Sequence, residues 1–387
     1  MSSVFWLSLV TLVYVYAGYP ALAWVLSHVF GREPARRPIT PSVSLYIPAF
    51  NEAAHIEAKL HNSLRLDYPR EQLEIVVASD GSTDATNAIV ESFRDRGVTL
   101  IAVRDNIGKA AMLSRTVPLL RGDIVVFSDA SSELEPQALR ALVANFADPR
   151  VGCVSGLYRL KVGAGDVRGQ GEGLYWRYET WLKRHESRLH SILGAHGAFY
   201  AIRRASFQQP SASTINDDYF IPMRVVGQGA RAVYEPAAVV WEREASSVAG
   251  EFARRRRIAA GNCQQMIELG YLLNPLRGWV ALCFFSHKVL RTIAPVLLLT
   301  LLIATWWLPQ PLGAVMLLLQ LLFYAGAFAG YRCQRSGRAI AWLSPPLYFC
   351  LGNLAMLAGL CTFCFRRNRL AWGRPRQPSK VSDTSAP

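Results

Sequence analysis

The first residue with the chemistry of a binding site is Asp129, which follows the short apolar run from Ile124 to Phe127. The run predicts a buried strand, so the carboxylate stands just past the strand's carboxyl end. Ligands of open α/β sheets bind at that edge, and a carboxylate followed by small residues suits a cation that carries phosphate. An aspartate here is also common in an ordinary turn, and this stretch alone does not decide between the two interpretations.

Other polar residues follow predicted strands or begin predicted helices in the same half of the chain. They are Asn51, Glu52, Asp80, Asp84 and Lys109. Each has a simpler interpretation, since Asp80 also begins a turn with a glycine and Asp84 can cap a helix. Because the carboxyl ends of parallel strands meet at one edge of a sheet, all of them could gather with Asp129. Together they indicate a site for a nucleoside diphosphate.

The glycine pattern excludes two common phosphate-binding motifs. The pair Gly108-Lys109 is preceded by Val103 where a P-loop requires glycine, and it is followed by Ala110 where a P-loop has serine or threonine. A Gly-x-Gly-x-x-Gly fingerprint is also missing from this stretch. No dinucleotide cofactor is therefore expected.

The polar region of the chain, about residues 40–270, holds three further candidates in its second half. Residues 194–204 form a glycine-containing loop that leads into a predicted strand, and Asp217 and Asp218 begin a predicted helix. These carboxylates could cap that helix, or one of them could be a general base. Four consecutive arginines, 254–257, are either a solvated or lipid-facing charge run or a clamp for a diphosphate. The aromatic stretch 172–183 favours packing over stacking on sugar rings.

The elements that must position these residues alternate in type. Strands are predicted at 43–47, 73–78, 98–103 and 124–127, with helices between them. This alternation predicts a doubly wound, largely parallel sheet with helices on both faces.

Apolar residues make up 51% of the 387 residues and are concentrated at the two ends of the chain. Residues 4–30 are long and apolar enough to span a membrane. Residues 275–291 mix basic and apolar residues and predict an amphipathic helix in the membrane interface. Spanning helices are predicted at 292–307, 312–331 and 340–365, before a basic, polar tail from 366. Arginines after the first span place the middle domain in the cytoplasm, although the basic tail also favours the inside and leaves the side of the C-terminus open.

The formal net charge of +14 is compatible with nucleic acid, anionic lipid or a phosphorylated ligand. Many basic residues flank apolar runs and no nucleic-acid-binding motif is visible, so nucleic acid is not an expected partner. The seven cysteines show no disulfide framework. Cys361 and Cys364 lie in an apolar run without a second pair and are interpreted as small hydrophobic residues.

Five motifs in one order resemble the family 2 glycosyltransferases with a GT-A fold. They are Ile-Pro-Ala-Phe-Asn-Glu at 47–52, Ser-Asp-Gly-Ser-Thr-Asp at 79–84, Gly-Lys-Ala-Ala at 108–111, Ser-Asp-Ala-Ser at 128–131 and Asp-Asp at 217–218. The membrane-embedded arrangement is similar to that of cellulose, hyaluronan and poly-N-acetylglucosamine synthases. The resemblance covers about residues 40 to 370.

The resemblance implies an inverting transfer of a hexose from a UDP-sugar, with Mg or Mn as cofactor. It implies that Pro48, Asn51 and Glu52 line the nucleoside pocket and that Asp80 binds the nucleotide base or the ribose. Lys109 and Arg257 would contact the phosphates. Asp129 corresponds to the first acidic position of the metal-binding Asp-x-Asp motif. The acceptor pocket corresponds to His196, Gly197 and Asp217, and the catalytic base to Asp218.

Two positions depart from the family pattern. Ser131 occupies the second acidic position of Asp-x-Asp, so metal binding must rely on Asp129, the diphosphate and water. The Gln-x-x-Arg-Trp motif of processive synthases reads Arg254-Arg-Arg-Arg257-Ile258 here. The arginine is kept, but the tryptophan that would stack on the acceptor sugar is Ile258. This difference argues against long-chain synthesis.

The sequence thus predicts a multi-pass enzyme of the bacterial inner (plasma) membrane with a Rossmann-like GT-A domain in the cytoplasm. Its expected regions are 1–30, a membrane helix; 40–270, the catalytic domain; 275–291, the interface helix; 292–365, membrane helices; and 366–387, the tail. The expected acceptor is a growing glycan in exopolysaccharide synthesis, with export-complex proteins as possible partners. The alternatives are transfer of one sugar to a lipid-linked acceptor and a non-catalytic role in an export complex.

Overall fold

The computed structural model describes residues 2–161, 169–243, 248–336 and 340–366. Most of the predicted tail lies outside these residues. The strands are β1 (Val43–Ala49), β2 (Leu73–Asp80), β3 (Val98–Val103), β4 (Ile124–Phe127), β5 (Ser132–Leu134), β6 (Val151–Lys161), β7 (Tyr200–Arg203) and β8 (Arg231–Arg243). They form one eight-stranded sheet in the order β3-β2-β1-β4-β7-β6-β8-β5.

The helices of the polar region surround this sheet. They are α3 (Ile56–Leu64), α4 (Thr86–Glu91), α5 (Lys109–Thr116), α6 (Ala138–Val143), α7 (Gly169–Leu189), α8 (Asp217–Gly227) and α9 (Val248–Glu268). The apolar helices that precede them in the chain are α1 (Ser2–Val13) and α2 (Tyr19–Val29). Those after them are α10 (Trp279–Cys283), α11 (Leu290–Ala304), α12 (Leu312–Arg335) and α13 (Ser344–Arg366).

Alternate residues of the central strands enter two separate hydrophobic cores. Tyr46 and Val76 pack in one core, whereas Leu45 and Val77 pack in the other. A strand whose two faces are both buried favours apolar residues on both faces, which explains the apolar runs at 45–49 in β1, at 75–78 in β2 and throughout β4. The predicted sheet covered on both faces is confirmed.

The sheet is mixed rather than wholly parallel. β1 pairs in parallel with β2 and β4, as do β2 with β3 and β6 with β8. β7 runs antiparallel to β4 and β6, and β5 runs antiparallel to β8. The antiparallel pairs bring the second half of the polar region back beside β4.

β1 continues for two residues beyond its predicted end at Ile47. Pro48 pairs only with Ala78 of β2, because the pairing with β4 stops at Tyr46. The missing N–H of proline therefore interrupts no ladder on the β4 side.

Four helical segments are long and apolar enough to cross a membrane. They are Ser2–Val29, Trp279–Trp307, Leu312–Arg335 and Ala341–Phe365. The first includes a π-helical turn, Tyr14–Gly18, and the second includes another, Phe284–Val289. Most of the predicted interface helix, 275–291, and the predicted spanning helix, 292–307, lie in this one helical segment. Only a short turn precedes Gly278, whose φ of 57° ends it.

Buried carboxylates explain how the basic residues of that second segment are accommodated. Glu186 of α7 accepts a hydrogen bond from the hydroxyl of Tyr19 at 2.6 Å and is hydrogen-bonded to Nδ1 of His287 at 2.7 Å. Glu179, two helical turns earlier on the same face of α7, forms an ion pair with Arg291. These side chains attach the catalytic domain to two membrane helices.

The helix α9 is held between the catalytic domain and α13. A Cβ added at Gly359 of α13 would lie 2.4 Å from the Cβ of Ala259. On the opposite side, a Cβ at Gly261 would lie 2.5 Å from the amide carbon of Asn216. Both close approaches require glycine, so α9 fits tightly against both neighbours.

Candidate active site

Lys109 is the centre of a charged cluster at the carboxyl edge of the sheet. Its Nζ lies 3.2 Å from Oδ2 of Asp217 and 3.5 Å from Oδ1 of Asp129. Burial lowers the pKa of Lys109, but the charges of Asp217, Asp129 and Asp218 outweigh this and raise it overall. The structure thus brings together residues that are up to 109 positions apart in the sequence.

Asp129 stands where the sequence predicts it, directly after β4. Its side chain is 36% exposed. Its backbone oxygen accepts a hydrogen bond from Ser132 Oγ at 2.7 Å, which closes a tight turn. The backbone of the turn is therefore fixed, while the partly exposed carboxylate, which is paired with Lys109, can still reach a ligand.

Asp218 lies in the first turn of α8 and is partly buried. Burial, followed by the charge of Asp217, raises the pKa of Asp218 to about 6. A carboxylate with a pKa close to the working pH is suited to accept a proton. The neighbouring loop comes very close to it, because a Cβ at Gly197 would lie 3.0 Å from Oδ2 of Asp218.

Asp80 holds the backbone that leads into Lys109. Its two carboxylate oxygens accept hydrogen bonds from the N–H groups of Ile107 at 2.7 Å and Gly108 at 2.8 Å. The residue is 3% exposed. Whatever contact it makes with a donor, Asp80 fixes the turn from which α5 starts.

Asn51 joins the first two motifs of the sequence. Its φ of 54° lies in the left-handed region, which is uncommon for a residue other than glycine. Its Oδ1 accepts a hydrogen bond from the N–H of Thr83 at 2.8 Å, and Asp84 in turn accepts one from the N–H of Ala53 at 3.1 Å. The N–H of Glu52 donates to Oγ1 of Thr86 at 2.9 Å. These contacts lock residues 51–53 against 82–86.

His196 is stacked on Tyr158, with ring centroids 3.9 Å apart and an interplanar angle of 16°. Burial lowers the pKa of His196 well below its usual value. Its backbone N–H donates to Ser155 Oγ at 3.1 Å. The imidazole is thus a neutral, packed side chain that helps to shape the loop beside Asp218.

The arginine run belongs to α9, and Arg257 lies next to the residue whose carbonyl anchors that helix. Nδ2 of Asn216 donates to the carbonyl of Ile258 at 2.9 Å and to Oδ1 of Asn262 at 3.1 Å. Since Asn216 directly precedes the two aspartates, these bonds set α9 relative to the first turn of α8.

Glu242 is a further candidate, which the sequence motifs do not reveal. The antiparallel pairing of β5 and β8 places it opposite Ser132, and Ser131 Oγ donates to its Oε1 at 3.3 Å. Burial and then the charge of Asp129 raise the pKa of Glu242. A second carboxylate is thus close to Asp129 although the Asp-x-Asp pattern is incomplete. Sequence spacing gives no signal for it, because the partner strand is about a hundred residues away.

Among the described residues, no cluster of three or more histidine, cysteine or acidic side chains could hold a metal ion by itself. The oxygens of Asp129 and Glu242 nevertheless fit a hard cation that takes its remaining ligands from a diphosphate and water. The ligand set is suited to Mg or Mn rather than to zinc.

Comparison with known proteins identifies the family to which the chain belongs. Residues 41–261 match the family model described as "Glycosyltransferase like family 2". The protein named "Probable glycosyltransferase YdaM" of Bacillus subtilis (strain 168) is 27% identical over 253 residues, which are 60% of this chain and 57% of that protein. The poly-beta-1,6-N-acetyl-D-glucosamine synthase of Staphylococcus aureus (strain COL) is 24% identical over 231 residues, which are 58% and 55%.

A solved structure has the same fold over nearly the whole chain. It is the mannosyltransferase PcManGT from Pyrobaculum calidifontis in complex with GDP-Man and Mn²⁺, with a TM-score of 0.70, 23% identity, and coverage of 94% of this chain and 99% of that chain. The matches to the two sequence relatives span a little over half of their lengths. The fold is therefore GT-A, and the chain belongs to glycosyltransferase family 2 as a transferase with four candidate membrane helices.

Proposed function

We propose that the chain transfers a hexose from a UDP-sugar to a growing glycan, with inversion at the anomeric carbon, in the synthesis of a cell-surface polysaccharide. The observation that carries the proposal is the chain of charges Asp129–Lys109–Asp217, which ends beside Asp218, a carboxylate with a pKa raised to about 6. One end suits a diphosphate leaving group and the other suits proton removal.

In the proposed reaction, Asp218 accepts the proton of an acceptor hydroxyl. The hydroxyl oxygen forms a bond to the anomeric carbon while the bond from that carbon to the diphosphate oxygen breaks. The nucleoside diphosphate leaves with the electron pair of that bond. One base on the face opposite the leaving group is enough for inversion, and no second carboxylic acid is needed.

The leaving diphosphate requires positive charge, and Lys109 supplies it from a fixed position. Asp80 holds the start of α5, and Asp217 and Asp129 hold the ammonium itself. Asp129 and Glu242 would hold Mg or Mn, which as a Lewis acid would neutralise the diphosphate. Pro48, Asn51, Glu52 and Arg257 are proposed donor contacts, and His196 and Gly197 are proposed to line the acceptor side.

Transfer of one sugar to a lipid-linked acceptor is a second candidate. Two observations favour it: Ile258 stands where processive synthases have tryptophan, and Nζ of Lys288 on a membrane helix lies 4.8 Å from the ring centroid of Tyr219, next to Asp218. The base is thus close to a membrane helix, from which a lipid carrier could present its end.

We further propose that the catalytic domain faces the cytoplasm at the bacterial inner membrane. Arg32, Arg36 and Arg37 follow the first membrane helix and favour the inside. Labelling of a single cysteine introduced at an exposed domain position, such as Arg94, in intact cells and in inverted vesicles tests this. Labelling in intact cells by an impermeant reagent would contradict the proposal.

Transfer from a panel of radiolabelled UDP-sugars, with GDP-mannose included, tests the reaction in membranes. We expect one UDP-sugar to give a product, and Asp218→Asn to reduce its rate by about 10²–10⁴-fold, the usual contribution of a general base. Asp67→Asn is a matched control, since Asp67 is a half-exposed carboxylate paired with Arg140 outside the site.

The product distinguishes the candidates. A water-soluble product of high mass supports glycan extension, and a single labelled lipid supports transfer to a lipid carrier. Labelling from GDP-mannose alone would overturn the UDP-sugar assignment. Activity that survives in Asp218→Asn would remove Asp218 from the role of base. Absence of both transfer and nucleotide binding would favour the non-catalytic role.

A further inference from the structure

Lys59 is a buried ammonium directly beneath the turn that carries Asp129. The residue is 2% exposed and lies on α3, on the same face as the buried Ile56, Leu60 and Ser63. Its Nζ forms no ion pair with any residue that the structure describes. A lysine on the apolar face of a helix is costly unless the ammonium is fully hydrogen-bonded, so its partners are informative.

All three donors of the ammonium are used within one turn of the chain. Nζ donates to Ser128 Oγ at 2.6 Å, to the carbonyl of Ser132 at 2.9 Å and to Ser132 Oγ at 3.0 Å. These two serines flank Asp129 in the sequence. Burial lowers the pKa of Lys59 to about 7, and the charge of Asp129 is the largest of the charges that oppose this lowering. The Lys59 amine thus holds both ends of the turn through its hydrogen bonds to the two serines.

The same two hydroxyls connect the turn to the loop beside the base. Ser128 Oγ donates to the carbonyl of Ala198 at 3.0 Å, and Ser132 Oγ lies 3.5 Å from the same oxygen. Ala198 directly follows Gly197, whose Cα faces Asp218. One continuous set of hydrogen bonds therefore runs from Lys59 through the Asp129 turn to the loop that contacts Asp218.

We propose that Lys59 is a positioning residue of the transferase, which fixes the Asp129 turn and the 196–198 loop relative to each other. It touches neither donor nor acceptor. Its ammonium acts through Ser128 and Ser132, and the separation of the diphosphate-side carboxylate from the base depends on it. The proposal rests on the proposed function for the role of Asp129, but the contacts themselves do not.

Two variants test this in the full-length, detergent-solubilised protein. Lys59→Met removes the charge and keeps the shape of the side chain, and Ser132→Ala removes one acceptor if Lys59→Met does not fold. Ser63→Ala is the matched control, because Ser63 is a buried residue one turn along α3 whose hydroxyl donates to the carbonyl of Lys59 and not to the Asp129 turn.

The first readout is hydrogen exchange without any ligand. We expect Lys59→Met and Ser132→Ala to increase exchange in peptides that contain residues 128–134 and 196–199, while peptides of β1 and β2 keep the wild-type rates. Unchanged exchange at both segments in a folded Lys59→Met protein would overturn the proposal. This readout needs no assumption about donor or metal.

The second readout is the factor by which Mn²⁺ strengthens the binding of UDP, measured by titration with Mn²⁺ and with EDTA. We expect this factor to fall about 10- to 100-fold in Lys59→Met, the usual effect of removing a partner that orients a metal-binding group, and to be unchanged in Ser63→Ala. An unchanged factor in Lys59→Met would contradict the proposal.

Titration with GDP separates this result from a wrong donor assignment. A wild-type protein that binds GDP but not UDP with Mn²⁺ would overturn the UDP-sugar assignment. In that case we expect Lys59→Met to reduce the factor by which Mn²⁺ strengthens the binding of GDP. If Mn²⁺ strengthens neither nucleotide, the metal role of Asp129 fails, and with it the functional part of the Lys59 proposal.

Discussion

Nζ of Lys109 lies 3.2 Å from Oδ2 of Asp217, so the first residue of α5 and the first residue of α8 are joined by an ion pair. The two helices come from opposite halves of the polar region. Because the charge of Lys109 also lowers the pKa of Asp218, a group on the diphosphate side acts on the proposed base.

The pH dependence of transfer should report on Asp218. Burial and the charge of Asp217 raise the pKa of Asp218 to about 6. A general base acts only when it is deprotonated, so we expect kcat/KM to be constant above that pH and to fall about tenfold per pH unit below it. Initial rates across acidic and neutral pH check this. A profile that is flat through pH 6 would contradict the assignment.

Asp217→Asn should move the acidic limb of the pH profile, the range in which kcat/KM falls, to lower pH. The charge of Asp217 raises the pKa of Asp218, so its removal makes Asp218 more acidic. The plateau rate should also fall, because Lys109 loses a partner. The limb position from the full pH profile separates the two effects, and a limb that moves to higher pH would refute the electrostatic argument.

Lys109→Met should have the opposite effect on the limb. The charge of Lys109 lowers the pKa of Asp218, so its removal should raise that pKa and shift the limb to higher pH. The KM for the donor should also increase. Lys109→Arg keeps the charge and is the matched comparison, in which the limb should stay near its wild-type position.

Gly197→Ala should reduce turnover without unfolding the protein. The added Cβ would lie 3.0 Å from Oδ2 of Asp218, so the carboxylate must shift by a few tenths of an ångström. We expect kcat to fall about tenfold, because small displacements of a reacting group have large effects on rate. Gly270→Ala is the control, since a Cβ there meets no atom within 4 Å. Equal kcat in the two variants would contradict the prediction.

Asp80→Asn should weaken the binding of every nucleotide by a similar factor. The amide group can replace only one of the two acceptors that hold the N–H groups of Ile107 and Gly108. An unpaired N–H costs about 1–3 kcal/mol, so we expect an affinity loss of about tenfold or more. Titration with UDP and GDP measures it. A loss of affinity confined to UDP would show instead that Asp80 acts through a contact with the uracil base of the nucleotide.

Glu186→Gln should destabilise the attachment of the membrane helices. Glu186 accepts a hydrogen bond from Tyr19 and pairs with His287 in a fully buried position. Loss of these charged hydrogen bonds should cost about 1–3 kcal/mol of unfolding free energy. Thermal unfolding in detergent measures this, with Thr300→Ala as the control, since Thr300 is half-buried and its hydroxyl donates to the carbonyl of Val296 within α11. Equal melting temperatures would contradict the prediction.

The sequence was sufficient for strands β1 to β4 and for the gathering of Asp129 and Lys109, whereas Asp217 and Asp218 were predicted only to begin a helix. Each of these residues follows a strand or begins a helix, and local patterns identify such positions. The roles assigned to individual residues stay predictions, and Asp80 shows why. Its position at a strand end was predictable, but the capture of the Ile107 and Gly108 N–H groups by its carboxylate depends on a loop conformation that spacing does not determine.

Two other features depended on contacts between distant segments. Glu242 reaches Ser131 only because β8 lies beside β5 in the sheet. The basic residues of the segment 275–291 predicted an interface helix, since lone cations are unfavourable in lipid. In the structure His287 and Arg291 face Glu186 and Glu179 of α7, a pairing that no local pattern reveals. Lys59 did leave a local signal, as a lysine on the buried face of α3.

The close fit of α9 between Asn216 and Gly359 has a consequence for biogenesis. α13 begins at Ser344, so it leaves the ribosome well after α9, which ends at Glu268. Until α13 is inserted in the bilayer, α9 lacks the surface against which it packs, and Asn216 lacks a fixed anchor for the start of α8. The final position of α9, and with it the start of α8, therefore depends on a helix that is synthesised later than the whole sheet.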